Sequence, residues 1–436
     1  MTAPYSLLLD LGGTYIKVAK CNHVDWKVFD EISFAIPAFV ESESNRREID
    51  PTTLMNSVNA AITDAVGESP PPESIFVSGQ MASWILTDSN NCPITNVVSW
   101  QDNSSLVEFN GSRPFDVFSE LLTSEILYSI GYECKPGTPS SAIFAQQTTG
   151  LVPLSTATRF HTLLSWVASQ LTTSAEYIMH VTDAASSGMF DIRKEDWSAS
   201  VIDLVAPSGL SFPSSVTAVK SIGKHKTFFC PIFSPIGDQQ AALLGAELRN
   251  GQTAFNIATG GQVARLVDHC NIPDVQLRPF YGSLFIATKT HLPAGRVLSL
   301  AVNLLVDKEC RDDPWTWADR VCEIFDKQAL PKVDLGFFTE LGGGWSGVTS
   351  GVTRESMIQA VVSAISDAYI DSAFLIGHEN TDCLLFCGGV AQNFISLRNE
   401  IASAFRGGVH VAPSGDMALK GLAKIAKTVQ VKGPIS

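Results

Sequence analysis

The stretch SPIGDQQAALLGAEL, residues 234–248, is apolar and small, and its one charge ahead of the helical run is Asp238, directly after Gly237. A carboxylate in that position has two uses. It can cap a helix, since Asp is favoured there and Pro235 and Gly237 favour a helix entry. It can also stand at the helix mouth as a base that receives a proton. Two further stretches share one pattern: SLLLDLGGTYIKVAK, residues 6–20, and TAFNIATGGQVARLV, residues 253–267. Each reads as an apolar strand, a two-glycine turn and a second alternating strand, which is a β-hairpin signal. Tips rich in glycine and threonine expose successive backbone N–H groups that can cradle phosphate oxygens, although either turn alone could simply close its hairpin. Two of them half a chain apart indicate a duplicated domain with one phosphate loop per half.

The elements that must position these residues alternate between strand and helix. IFVSGQMASWILTD (75–88) and NVVSWQDNS (96–104) are strand-like, rich in Val, Ile and Trp, with polar interruptions. REIDPTTLMNSVNAAITDAV reads as a helix beginning after Pro51, and HTLLSWVASQLT as another amphipathic helix. HVTDAASSGMFDIRKEDW is expected to turn back into extended structure. The second half closes with a long helix over RESMIQAVVSAISDAYIDSAFLIG, a buried strand, glycine turn and helix over DCLLFCGGVAQNFISLRNEIASAF, and a helix over SGDMALKGLAKIAKTV. This alternation places the chain in the α/β class. At 436 residues it exceeds one ordinary core, and the prolines and glycines around 207–236 suggest a boundary, giving domains 1–235 and 236–436.

Composition excludes several classes. With 45% hydrophobic and 17% charged residues the chain is globular, and a net charge of -14 argues against non-specific binding to nucleic acid or an anionic membrane. No apolar run is long enough to cross a bilayer, and Asp10 comes too early for a signal peptide. The nine cysteines are scattered and odd in number, so a reduced, cytoplasmic protein is expected. None of the eight histidines has a metal-ligand spacing. A dinucleotide-dependent oxidoreductase fails because DLGGTYIKVAK continues as a strand where G-x-G-x-x-G should open a helix.

The order of motifs from about residue 6 to about 426 resembles the FGGY family of carbohydrate kinases, within the wider group of actin-like ATPases. LDLGGTYIKVA is similar to the first phosphate motif, SGQM and SWQD to the two sugar-side motifs, and TDAASSGMFDIRKEDW to a stretch that precedes a strand and a tryptophan. GDQQAALLGA resembles the motif of the catalytic aspartate, IATGGQVARL the second phosphate motif, CGGVAQN the adenosine motif and GDMALKGLAKIA the closing helix. The resemblance implies two actin-like, ribonuclease H-like domains with an interdomain catalytic cleft, the first binding sugar and the second nucleotide. It implies an ATP-dependent kinase in which Asp238 is the general base. Gly12, Gly13, Thr14, Thr259 and Gly260 would hold the phosphates of ATP, and Asp10 would help to hold Mg²⁺ through waters. Gly389 and Asn393 would lie around adenine and ribose, with Gly295 a further nucleotide-side glycine. Gln80, Met81, Trp100, Gln101, Asp102 and Gln239 would contact the sugar, Asp102 by accepting from hydroxyls.

Three departures from the family pattern stand out. Ser104 occupies a position where relatives often carry arginine, the first loop reads Gly-Gly-Thr, and the chain is short. The WQD form resembles sedoheptulokinase and xylulokinase relatives, which favours an open-chain ketose or polyol such as sedoheptulose, xylulose or ribulose. The alternative is a catalytically weak nucleotide-binding regulator of the same fold. Partners are a small-molecule sugar and ATP, with no nucleic acid and no membrane, and a homodimer is an open option. LGGGWSG (341–347) reads as a connection or a phosphate-approaching loop, and RVCEIFDKQALPKVD (320–334) as a charged surface helix.

Overall fold

The structure, a computed structural model, describes residues 3–41, 46–150, 154–268, 275–306, 313–323, 330–338 and 342–432. The chain divides into two compact units that do not follow chain order. One comprises residues 1–246, 268–285 and 415–436, the other 247–267 and 286–414. The expected division at 235/236 falls inside the first of these, just ahead of Asp238.

The first unit is organised by strands β1 (Tyr5–Leu11), β2 (Tyr15–Asn22), β3 (Val28–Ala35) and β4 (Ser74–Gly79). β1 and β2 form the antiparallel hairpin read from the glycine turn, with Leu11 opposite Ile16 and Asp10 opposite Lys17. β1 also pairs in parallel with β4, which sets Asp10 beside Ser78. Beyond β4 the sheet continues through Pro231–Phe233 to Ser221–Lys224, and Ile236–Gly237 also pairs with β4. The run SLLLDL is apolar throughout because both faces of the sheet are covered. Leu7 and Leu9 point into a core with Leu54, Val58 and Ile62 of helix α1 (Pro51–Val66) and with Leu163, Leu164 and Trp166. Leu8 and Phe76 point the other way, against Ile236, Ala241, Leu419 and Leu422. Helix α1 starts where Pro51 predicted, and Asp50 caps it by accepting the Thr53 N–H at 2.7 Å.

Helix α2 (Asp238–Gly245) and the closing helix (Met417–Lys432) also belong to this unit. They cross at glycines. A Cβ on Gly245 would lie 1.9 Å from the Met417 carbonyl oxygen, and one on Gly421 would lie 1.9 Å from that of Ala241. Only glycine permits this approach, so the two backbones touch, the start of the closing helix against the end of α2.

The second unit holds the other hairpin, β5 (Gln252–Ile257) and β6 (Gly261–Val267). Its sheet continues through β7 (Phe285–Leu292) on one side and β8 (Cys383–Cys387) and β9 (Val409–Val411) on the other. Helices α3 (Gly295–Leu305) and α4 (Arg354–Leu375) pack here. The long helix, the buried strand and the glycine turn at Gly388, with φ +89°, are as the sequence indicates.

Four local expectations need correction. Residues 181–187 are helical turns, not extended chain, because the His180 ring accepts the Thr182 N–H and starts a turn. In NVVSWQDNS only Val97–Val98 is strand, and Trp100–Asp102 form a turn. In LGGGWSG, Gly344–Ser346 pairs with Lys332–Asp334 as a short hairpin, while Leu341 lies outside the described residues. Of the helix expected over 320–334, only Arg320 and Val321 are helical, as the end of a helix from Pro314, and Lys332–Asp334 is strand because it pairs with Gly344–Ser346; residues 324–329 lie outside the described residues.

Candidate active site

Asp238 is the first residue of α2. Its Oδ1 accepts the N–H of Gln239 at 2.7 Å, so the carboxylate meets the helix end as a cap would, yet it remains half-buried with an accessible edge. Burial pushes its pKa up to about 6, against the pull of that N–H and of the nearby Arg278 guanidinium. A base poised near neutral pH suits proton transfer from a hydroxyl.

Asp10, 5% exposed at the end of β1, accepts the Ser78 hydroxyl at 2.8 Å. Burial raises its pKa to about 7, with the negative charges of Asp416 and Asp238 adding to the rise and Lys17 opposing it. Lys17 on β2 is bound to Asp416, which also caps the closing helix by accepting the Leu419 N–H at 2.9 Å. Burial works against the Lys17 charge, but the Asp416 carboxylate more than offsets it and holds the lysine pKa above its ordinary value. The glycine crossing of α2 and the closing helix therefore brings Asp416 to the hairpin that carries Asp10. Neither Lys17 nor Asp416 was picked out in the sequence. Their signal was there: Lys17 is the one charge on β2 opposite an aspartate, and Asp416 precedes a helix.

The tip of the first hairpin, Gly13–Tyr15, is exposed. The Gly12 N–H closes the turn on the Tyr15 carbonyl at 2.9 Å, so a phosphate reading of this tip rests on Gly13 and Thr14. Around Gly13 the two sugar-side stretches converge. A Cβ there would lie 3.8 Å from Gln80 Oε1 and Trp100 Nε1 and 3.9 Å from Gln101 Nε2. Trp100 is 38% exposed, an aromatic surface presented to solvent where core packing would have buried it. Its turn is anchored by the Ser83 hydroxyl, which accepts the Trp100 N–H at 3.1 Å. Gly137 passes over it so closely that a Cβ would lie 1.9 Å from the Trp100 carbonyl oxygen. Met81 lies against Gly237, where a Cβ would be 2.3 Å from its Sδ.

Asp102, expected to accept from sugar hydroxyls, is bonded within the protein in this structure. It is 1% exposed, and its oxygens accept the N–H of Arg47 at 2.8 Å, the N–H of Ser104 at 3.0 Å and the Ser104 hydroxyl. It ties the Trp100–Gln101 turn to its neighbours. Ser104, standing where relatives often have arginine, is one of those ties.

Gln239 is buried, and its Oε1 accepts Arg278 Nη1 at 2.6 Å. Arg278 in turn contacts the buried Glu133, at 3.1 Å from Nε to Oε2. Burial works against the Glu133 charge, but Arg278 and Lys135 outweigh it and hold the carboxyl below its ordinary range. Arg278 and Glu133 were also missed, since nothing in the local pattern of either marks a pair 145 positions apart.

The nucleotide-side expectations fall in the second unit. Thr259 and Gly260 form the exposed tip of its hairpin. The first N–H groups of α3 cover that turn from behind: Gly295 donates to the Ala258 carbonyl at 2.9 Å and Arg296 to that of Thr259 at 3.1 Å. A Cβ on Gly295 would lie 2.6 Å from the Ala258 oxygen and 3.0 Å from Val390 Cγ2, so this glycine joins the hairpin to the turn after β8. Gly389 is exposed with nothing within 4 Å of a Cβ, and Asn393 donates to its carbonyl at 2.9 Å. The five residues thus share one region.

Residues 5–245 match the FGGY family of carbohydrate kinases, N-terminal domain. The chain belongs to that family. It is a carbohydrate kinase, a phosphotransferase acting on a hydroxyl group, and ATP use comes with the family. Glycerol kinase 1 of Lactiplantibacillus plantarum is 23% identical over 411 residues, covering 84% of this chain and 76% of the relative. The gluconokinase of Bacillus subtilis is 22% identical over 279 residues, 61% of this chain and 52% of the relative. Among solved structures, gluconate kinase from Lactobacillus acidophilus superposes with a TM-score of 0.87 at 18% identity, over 98% of this chain and 90% of that one. A ligand-bound xylulose kinase from the same organism gives 0.85 at 18% identity, over 98% and 89%. The fold is that of two-domain FGGY sugar kinases, as the motif order implied. No described helix is long and apolar enough to cross a membrane.

Proposed function

We propose that this FGGY kinase phosphorylates a hydroxyl of a neutral open-chain ketose or polyol, of the sedoheptulose, xylulose or ribulose kind, with Asp238 as general base. The observation that carries this reading is the setting of Asp238: a half-buried carboxylate of raised pKa at a helix start, among the residues of the sugar-side stretches. The hydroxyl oxygen attacks the γ-phosphorus of ATP, Asp238 takes the hydroxyl proton, and ADP leaves. Such help contributes roughly 10²–10⁴-fold, and the rest is positioning and charge stabilisation. Gly13 and Thr14, with Thr259 and Gly260, hold phosphate oxygens, Lys17 adds positive charge, and Gly295, Gly389 and Asn393 accommodate the nucleoside. Gln80, Met81, Trp100, Gln101 and Gln239 meet the sugar, with Asp102 fixing their turn.

Asp10 fits a water-mediated Mg²⁺ site. The negative charges of Asp416 and Asp238 bear on it, and it would act through waters, because no three metal-ligating side chains among the described residues form a direct site. When bound, the ion neutralises charge on the transferred phosphate.

The charge beside Gln239 favours a neutral substrate. Asp238 and Glu133 stand there with Arg278 and Lys135, and both cations are already engaged with Glu133. An aldonate would bring a further negative charge beside Asp238. The test is ADP release from wild type and Asp238→Asn across D-xylulose, D-ribulose, sedoheptulose, polyols, glycerol and gluconate. Turnover on a neutral acceptor that Asp238→Asn abolishes is expected. Turnover confined to gluconate would overturn the substrate class, and nucleotide binding without turnover on any acceptor would return the regulator reading.

A further inference from the structure

Residues 180–187, HVTDAASS, take no direct part in the transfer proposed above, yet they are buried throughout and bonded to both of its sides. The bonds on the side of the base fix where each proton lies. His180 Nδ1 accepts the Thr182 N–H at 3.3 Å, so that nitrogen carries no proton. Burial pushes the pKa of the ring down to about 4, so the ring is neutral and its one N–H is at Nε2, donated to the Thr217 carbonyl at 3.1 Å. The Thr182 hydroxyl, 2.8 Å from Nδ1, must then donate to it, which leaves the hydroxyl oxygen free to accept. The Gly237 N–H reaches that oxygen at 3.4 Å, and Asp238 is the next residue.

Ser186 serves the other side. Its hydroxyl donates to the Asp183 carbonyl at 2.7 Å and accepts the Ala82 N–H at 3.1 Å. Ala82 directly follows Gln80 and Met81 and has φ +63°, a left-handed backbone that disfavours alanine and needs outside support. The segment is itself tied down by the Thr162 hydroxyl, which donates to Asp183 Oδ2 at 2.6 Å. Its two clients also touch, because Met81 packs on Gly237.

We propose that His180, Thr182 and Ser186 are positioning residues that hold the start of the Asp238 helix and the Gln80–Met81 turn in register with one another. This rests on the reading of Asp238 as general base and of Gln80 and Met81 as sugar contacts. A base takes a proton only from a hydroxyl brought within hydrogen-bond reach, so the residue that carries the carboxylate and the turn that seats the sugar have to share one frame. The chain Thr217–His180–Thr182–Gly237 runs in one direction, each donor pointing at the next acceptor, and such chains strengthen their own members. A neutral imidazole of a single tautomer gives the Thr182 hydroxyl one orientation, and a buried serine does the same for the Ala82 turn.

Three variants and one spectroscopic readout test this, with the neutral acceptor that turns over fastest in the screen. Thr182→Val removes the hydroxyl at nearly constant shape and should lower kcat about tenfold, with the sugar and ATP KM each within about twofold. Thr182→Ser, which keeps the hydroxyl, should recover most of that loss. Ser186→Ala releases the Ala82 turn and should raise the sugar KM about tenfold, move kcat less and leave the ATP KM within about twofold. In wild type, a ¹H–¹⁵N correlation of the imidazoles, with His180 assigned by its absence in His180→Asn, should place the His180 proton on Nε2 between about pH 6 and pH 8. A proton on Nδ1 would overturn the proposal whether or not a variant folds. So would kcat and both KM values worsening together in Thr182→Val and in Ser186→Ala, the mark of a general structural loss. Near-normal turnover in Asp238→Asn would sink the general-base reading instead, a failure that the His180 tautomer does not share.

Discussion

Residues 12–14 and 258–260 close hairpins of one design, and what lies behind the two tips is different. Behind the first stand side chains that carry charge and protons: Asp10 bonded to Ser78, Lys17 bonded to Asp416, and Asp238 near enough to raise the Asp10 pKa. Behind the second stands backbone: the opening peptides of α3 donate to Ala258 and Thr259, and Gly261 packs on Tyr369, whose hydroxyl a Cβ would meet at 1.8 Å. The two similar hairpins are therefore backed differently. One tip has charged side chains behind it and the other close-packed backbone, and under the proposed function their loss should differ in kind.

The largest expected effect is on the first side. Asp238→Asn should lower kcat by roughly 10²-fold or more with the ATP KM nearly unchanged, measured by steady-state ADP release. Near-normal turnover would reduce Asp238 to a helix start and erase the contrast between the hairpins.

Next comes proton handling in the fold of the first unit. Asp183 is fully buried, its Oδ2 accepts the Thr162 hydroxyl at 2.6 Å, and its Oδ1 has no partner among the described residues. Burial raises its pKa to about 7, against 3.8 as the ordinary value. The fold thus retains a proton that the unfolded chain has released, so stability is full below about pH 4 and falls as pH climbs through about 7. Asp10 and Asp238 bend the curve the same way. Asp183→Asn, which mimics the protonated group, should gain on wild type by on the order of a few kcal/mol between pH 5 and pH 8, read from denaturant midpoints. A gain equal at both values would mean that this carboxyl is ionised throughout.

On the second side the effects should be steric. Gly295→Ala forces a Cβ onto the Ala258 carbonyl and should cost about 1–3 kcal/mol and raise the ATP KM, leaving the sugar KM alone. Gly260→Ala, with nothing within 4 Å, is the control and should cost far less. Equal behaviour of the two would break the picture of a hairpin shaped by close approach. The smallest effect is expected at Ser104. Ser104→Ala removes one hydroxyl from Asp102 while two backbone N–H groups remain, about 0.5–1.5 kcal/mol, seen as a small rise in sugar KM. A larger rise from Asp102→Ala in the same assay fits an anchor, and none at all would remove Asp102 from the sugar side.

What could be read before the structure was whatever short-range pattern controls. The hairpins, α1 from Pro51, the long α4 and the position of Asp238 all follow from spacing, proline and glycine. What could not be read depends on pairs distant in sequence. Glu133 meets Arg278 only because Gly131 lets two segments touch, and Lys17 meets Asp416 only because two helices cross at Gly245 and Gly421. Asp102 shows the third kind of limit. Its type and motif suit a sugar contact, but the bonds that turn it inward come from Arg47 and Ser104, and hydrogen-bond direction is not written in a motif.

The glycine crossing has a consequence for how the chain is made. Helix α2 rests on a helix that begins at Met417, and the segment 415–436 of the unit containing both follows all of the other unit in the sequence. At about 5–20 residues per second, the ribosome leaves Ala241, Leu8 and Phe76 without their apolar cover for on the order of ten to thirty seconds. During that interval the nascent chain exposes an apolar sheet face beside Asp238. The packing of α2 is therefore completed only once residues 417–432 have emerged.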